Sequence, residues 1–196
     1  IVYPHYLAPL PSMMIVQIQP DHKGGITEEG FVLQRGTKLF SRALGGGRSR
    51  CQFKIAQEVR AWPIQVKEVT YLPLGQVPVF SGLNIRNFKA GIRIRLQTTS
   101  NYRFNQLAIN QLTFFLHGTG NVPVQLYELI MGHGVSVVIR NPANQQSYLL
   151  NKSVIQSVGY GQNESLLPST AQTFQGYRLL QEYFALPERF LFFQLN

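Results

Sequence analysis

The closing stretch, Gly176 to Asn196 (GYRLLQEYFALPERFLFFQLN), constrains the fold more than any other part of the chain. It predicts a short helix over Gly176 to Ala185, carrying Leu179, Leu180, Tyr183 and Phe184. Pro187 has to end that helix, because its ring fixes φ, removes a donor and biases the preceding residue towards extended geometry. A run of large apolar side chains follows, Phe190 to Leu195, and predicts a strand. An apolar strand reaching the last residue is unusual, since termini normally lie in poorly packed polar segments. The chain therefore reads as a piece of a longer protein.

The remainder reads as short strands punctuated by turns. Tyr3 to Pro11 holds Pro4, Pro9 and Pro11 and predicts an extended leader packed by Tyr3, Tyr6 and Leu10. Met13 to Gln19 alternates and predicts a strand, and Pro20 to Gly30 a loop. Phe31 to Leu33 and Thr37 to Phe40 predict strands on either side of Arg35-Gly36, where Gly36 suits a turn position with φ > 0. Ser41 to Arg50 (SRALGGGRSR) is a basic, glycine-rich loop, followed by strands at Cys51 to Ile55 and Ile64 to Tyr71. Leu72 to Asn84 has two prolines and two glycines and reads as a joint. It divides a small β-rich module, residues 1–72, from a larger sandwich-like module, residues 73–196.

In the larger module Gly91 to Thr98 alternates cleanly, with Ile92, Ile94 and Leu96 on one side and Arg93 and Arg95 on the other. Leu112 to Leu116 predicts a strand. Pro123 to Met131 predicts a helix with Leu126, Leu129 and Ile130 on its apolar face. Val135 to Arg140 and Ser147 to Leu150 predict a hairpin around Asn141 to Gln146, and Val154 to Val158 another strand. Gln162 to Phe174 is loop-like. The fold class this implies is mainly β: antiparallel β-sandwich or barrel-like modules with two or so short helices.

The chemistry is sparse. Asp21 is the single aspartate, Glu28 and Glu29 are neighbours in one loop, and His5, His22, His117 and His133 show no ligand spacing. There is no HExxH, and the lone Cys51 excludes both an internal disulfide and a thiolate zinc site. Cys51 opens a strand without an identifiable activating base, so a packed thiol is expected. Gly45-Gly46-Gly47 with Arg48 and Arg50 lacks the spacing GxxxxGK[ST] of a phosphate-binding loop. No catalytic, cofactor-binding or metal residues are assigned, and the chain reads as no enzyme.

Charged residues make up only 14% of the chain while 44% is apolar, which suggests that partners cover much of its surface. The net charge is +9. It points either to an acidic partner or to balancing acid elsewhere in a longer protein. Candidate docking residues are Arg42, Arg48 and Arg50 in the glycine-rich loop, and Arg93 and Arg95 on the alternating strand.

Several segments carry a family resemblance. LQEYFALPERFLFF near the end, YPHYLAPLPSM at Tyr3 to Met13, QRGTKLF at Gln34 to Phe40, CQFK at Cys51 to Lys54 and WPIQV at Trp62 to Val66 resemble the TssF (VasA/ImpG) family. That family supplies baseplate subunits of the bacterial type VI secretion system. Gln34 departs from the proline more usual before Arg-Gly-Thr. The resemblance implies a non-enzymatic structural component of a baseplate wedge. Its implied partners are TssG, TssK, TssE, the VgrG spike hub and a second TssF copy. The implied location is the cytoplasm, in a baseplate docked at the inner-membrane complex of a Gram-negative bacterium. The alternative from composition is a basic β-domain that binds nucleic acid or another polyanion.

Overall fold

The computed structural model describes residues 8–19, 28–43, 50–78, 80, 85, 87–99, 101–167 and 175–196. They form a mainly β chain with two helices, arranged in two compact units. The first unit is Ile1–Trp62 with Val158–Phe192, and the second is Pro63–Ser157 with Phe193–Asn196. The described residues 74–78 and 80 lie in the second unit, between its two longest strands. The described strands form small sheets and no closed barrel.

In the first unit β1 (Phe31–Leu33) pairs antiparallel with β4 (Val59–Ala61), and β2 (Lys38–Phe40) with β3 (Gln52–Lys54). Between β1 and β2 the chain turns on Gln34–Thr37. The Thr37 N–H donates to the Gln34 carbonyl at 3.1 Å, its hydroxyl donates to the same oxygen at 2.7 Å, and Gly36 takes φ +87° as expected. The Gly36 N–H then reaches the Ile55 carbonyl at 2.7 Å, so the RGT turn also extends the β2–β3 ladder. Among the described residues of this unit, Ile55, Ala61, Trp62, Val158, Leu167 and Phe190 are the buried apolar ones.

Helix α2 (Gln175–Ala185) falls where the sequence puts it, and the Leu186 N–H closes it on the Glu182 carbonyl at 2.9 Å. Pro187–Phe190 then form a single 3-10 turn, so the last strand, β11 (Phe192–Leu195), starts two residues later than expected. The reason is that Phe190 is buried beside Tyr160 and Tyr183 instead of joining a ladder.

Two other expectations fail. Residues 13–19 form no ladder with the described residues, and Met14 and Val16 stay about half exposed: alternation prepared a face, but no described strand meets it. Leu10 is likewise half exposed rather than packed. Tyr3 and Tyr6 of the leader, most of the loop at 20–27, the glycines at 45–47 and residues 168–174 lie outside the described residues.

The second unit opens with a long hairpin, β5 (Ile64–Pro73) against β6 (Ala90–Thr98). The register shifts between Val66 and Glu68, leaving Lys67 as the extra residue of a bulge. Ile92, Ile94 and Leu96 are half-buried while Arg93 and Arg95 are exposed, as the alternation predicts. Next come β7 (Leu112–Phe115), α1 (Val122–His133), and the hairpin of β8 (Ser136–Arg140) with β9 (Ser147–Asn151). In α1 Pro123 is buried in the first turn, Leu126 and Ile130 are half-buried, and Leu129 is exposed. A three-stranded sheet completes the unit in the order β10 (Ile155–Ser157), β11, β7. Phe193 of β11 is buried and stacks on Phe114 of β7, ring centroids 5.3 Å apart.

Candidate functional site

The basic residues singled out from the sequence fall in different units. In the first unit the β2–β3 ladder runs one step further through Ser41 and Cys51, whose backbones bond at 2.9 Å. Arg42 and Arg50 follow immediately, both exposed, at the base of the glycine-rich loop. Arg48 lies outside the described residues. Cys51, expected to be packed, is exposed: the ladder holds its backbone but no layer covers its side chain.

The same face of this hairpin carries more charge than the sequence reading assigned. Lys38 and Lys54 stand directly opposite each other and both are exposed, with Phe40 60% exposed next to them. Like charges placed opposite each other across a ladder are destabilising. Among the described residues none of Lys38, Lys54, Arg42 and Arg50 forms an ion pair.

Arg93 and Arg95 of the second unit are differently placed. Arg95 lies opposite Glu68, and both guanidinium groups reach that carboxylate, at 3.4 Å and 3.2 Å. The Thr70 hydroxyl donates to Glu68 at 2.9 Å. That hydrogen bond, with the two arginines, holds the Glu68 carboxyl below the usual glutamate range. Half the charge of this pair is therefore already answered within the hairpin.

The most elaborate polar arrangement among the described residues involves none of the candidate docking arginines. The loop Gly159–Leu167 is held by three arginines and two glutamates, all in the first unit. Arg189 is buried, ion-pairs with Glu182, and donates to the carbonyls of Gly159 at 2.7 Å and Glu164 at 2.6 Å. Glu182, 0% exposed, also accepts from the Leu166 and Leu167 N–H groups at 2.9 and 3.1 Å. Arg178, 1% exposed, approaches Glu182 at 3.9 Å and donates to the Gly161 carbonyl at 3.3 Å. Glu164 folds back to accept from the N–H groups of Gly159 and Gly161. Arg35, from the RGT turn, donates to the Asn163 carbonyl at 2.9 Å and to the carbonyl and hydroxyl of Ser165 at 3.0 and 3.1 Å.

This clamp explains two of the recognised segments physically. The arginine of QRGTKLF and the glutamate and arginine of LQEYFALPERF converge on one loop. Burial pulls the Arg189 guanidinium below its ordinary value, and the Glu182 carboxylate opposes that pull. Both oxygens of Glu182 are engaged in the clamp. Among the described residues no group of three or more His, Cys, Asp or Glu could hold a metal ion. The available signal was that acids, rare in this chain, sit within the recognised closing segment.

The clamp also turns α2 inside out. Its charged residues, Arg178 and Glu182, face inward, while Tyr177, Leu180, Tyr183 and Phe184 are exposed, Phe184 by 82%.

A family model described as "Type VI secretion system, TssF" matches residues 1–196. The chain belongs to the type VI secretion system TssF family. It is 38% identical to type VI secretion system component TssF1 of Pseudomonas aeruginosa (strain PAO1) over 198 residues, covering 100% of this chain and 32% of that protein. The chain thus spans about a third of the length of the TssF relative it matches. A chain in the cryo-electron microscopy structure of the type VI secretion system TssK–TssF–TssG baseplate subcomplex superposes with a TM-score of 0.65. The match has 20% identity and covers 86% of this chain and 29% of that one, a likeness of fold. Among the described residues no helix is long and apolar enough to cross a membrane.

Proposed function

We propose that this chain is part of a non-enzymatic TssF subunit of a type VI secretion baseplate wedge. The observation that carries the reading is the family match over every residue. The buried clamp accords with it, because Arg35, Glu182 and Arg189 of the recognised segments are engaged in holding the loop Gly159–Leu167. TssG and TssK are its partners in the wedge, together with TssE, the VgrG spike hub and a second TssF copy. The wedge stands in the cytoplasm, docked at the inner-membrane complex.

The basic residues Arg42, Arg48 and Arg50 are its charged docking group, extended by Lys38 and Lys54 on the same hairpin. Arg93 and Arg95 contribute less, since Glu68 already answers part of their charge. An acidic protein surface relieves the Lys38–Lys54 repulsion on contact.

The test is co-purification of the full-length protein with its cognate TssG-type chain, followed by mass determination of the complex. The expected result is a stable complex with two copies of this subunit per TssG-type chain. Substituting Arg42, Arg48 and Arg50 with serine should leave folding intact and weaken assembly. No complex, with salt-sensitive retention on nucleic acid instead, would replace this reading with a basic polyanion-binding domain.

A further inference from the structure

We infer that the outward face of the β2–β3 hairpin receives an extended acidic segment of a separate wedge protein, with two carboxylate side chains four residues apart and an apolar one midway between them. The inference deepens the baseplate reading above and rests on it for the source of that segment. Successive side chains of a strand alternate between its faces. Leu39 and Phe53 are half-buried, so Lys38, Phe40, Gln52 and Lys54, all exposed, share the outward face. The backbone bond between Ser41 and Cys51 carries the ladder one step on, and exposed Arg42 and Arg50 come next in the same alternation. The face is thus three rows of two: Lys38 with Lys54, Phe40 with Gln52, and Arg42 with Arg50.

The rows set the spacing of the occupant. At roughly 3.3 Å per residue the two cationic rows stand about 13 Å apart, with the uncharged row midway. An extended peptide laid along the hairpin repeats its side chains at the same interval. Acidic residues at its first and fifth positions meet the two cationic rows, and an apolar residue at the third covers Phe40, which is 60% exposed. Each carboxylate then lies between two like charges that otherwise repel each other across the ladder. A nucleic-acid strand fits less well: its phosphates recur about every 3.4 Å along a duplex, so several would fall on the uncharged row.

Composition indicates where the segment comes from. None of the nine acidic residues lies four positions from another, so these 196 residues lack the pattern, in this copy or in a second one. Contacts within one folded protein or a permanent complex resemble a core, where lysine and arginine are seldom buried unpaired. Four cations in six positions, none with an ion pair among the described residues, belong instead to a surface that is wet in the free subunit and covered on assembly.

The test uses the full-length protein and a fluorescent synthetic peptide containing Glu-Thr-Val-Thr-Glu. The peptide should bind, and more weakly as salt rises. A peptide of the same composition with its two glutamates adjacent should bind at least fivefold more weakly. Lys54→Glu sets an acid opposite Lys38. It should leave the melting temperature unchanged or higher, because a cross-strand repulsion becomes an attraction, yet weaken peptide binding at least fivefold. No binding, equal binding of the two peptides, or tighter binding of an oligonucleotide of equal charge would overturn the inference. In the assembly with the cognate TssG-type and TssK-type chains, acylation of Lys38 and Lys54, mapped by mass spectrometry, should slow at least fivefold relative to the full-length protein alone. Unchanged acylation in a complex that forms would overturn the inference and leave the baseplate reading intact. So would slow acylation in the protein alone. If the protein joins neither chain, the baseplate reading falls, and the inference with it.

Discussion

Glu182 and Arg189 lie on opposite sides of Pro187, seven residues apart, and pair inside the first unit with almost no exposure to solvent. Pro187 makes the contact possible. By ending α2 it lets a 3-10 turn bring Arg189 back alongside the last helical turn. The pair then ties the helix, the turn and the loop Gly159–Leu167 into one body. A buried ion pair is stable only when its remaining donors and acceptors are satisfied. For Glu182 and Arg189 they are, through four backbone groups of that loop.

Arg178 is less well served, and the difference is measurable. Its Nε and Nη1 atoms are buried without a hydrogen-bond partner. Arg178→Met should therefore change stability by less than about 1 kcal/mol, since apolar replacement of a poorly satisfied buried charge is often neutral. Arg189→Met strands the Glu182 carboxylate and should cost about 3–5 kcal/mol. Thermal melts of the two variants should separate clearly.

Gly159 is the position where the loop admits Arg189. It takes φ +105°, and an added Cβ would stand 3.2 Å from the Arg189 carbonyl oxygen and 3.4 Å from its Nε. Gly159→Ala should destabilise the first unit by about 2–3 kcal/mol through backbone strain and crowding. Urea titration of the variant checks this, and a shift in midpoint without a change in slope is expected.

Arg35 spans two carbonyls and a hydroxyl with one planar guanidinium. Lysine offers a single point charge and cannot serve Asn163 and Ser165 together. Arg35→Lys should thus lose nearly as much stability as Arg35→Ala, about 1.5 kcal/mol for charge-assisted bonds that are partly exposed. Comparing the melting temperatures of the two variants decides it.

Glu68 supplies the pH prediction. Its folded carboxyl titrates below the usual value because Thr70 and the two arginines favour the ionised form. A carboxylate with a lowered folded pKa adds stability above its unfolded value, near about 4.3, and loses it as pH falls through the lowered one. The β5–β6 hairpin should therefore keep this contribution above about 4.3, lose it as pH falls from there through the lowered value, and weaken no further on this account below it. An NMR titration of the Glu68 side chain should give a depressed midpoint, and Thr70→Val should raise it, Thr70 being the largest contributor.

Local chemistry made much of the fold legible. Strand β6 could be read from Ile92, Ile94 and Leu96 alternating with arginine. Pro187 gave the end of α2, and Gly36 its turn. Each of these rests on neighbours in sequence. What stayed hidden depends on partners far along the chain. Val59–Ala61 is too short to announce itself and becomes a strand only against Phe31–Leu33. Met13 to Gln19 has the pattern of a strand and pairs with none of the described strands. The clamp was invisible for the same reason: Arg35 meets its acceptors at Asn163 and Ser165, more than a hundred residues away.

The docking arginines were legible as charge but not as geometry. Arg93 and Arg95 looked equivalent to Arg42 and Arg50 until the β5 bulge set Glu68 opposite Arg95. Nor did the apolar residues of α2 announce which way they point. Residue type leaves the direction of Leu180 and Phe184 open, and the burial of Arg178 and Glu182 turns them outward.

The most direct measurement is a double-mutant cycle on Glu182 and Arg189 in the full-length protein, read by hydrogen exchange. The Leu166 and Leu167 amides bond to Glu182, so their protection reports the clamp itself. Glu182→Met, Arg189→Met and the double variant should show a coupling of about 2–3 kcal/mol, each single change costing more than its share of the pair. Additive losses, within about 0.5 kcal/mol, would contradict the claim that these two residues act as one buried unit holding the loop and the helix together.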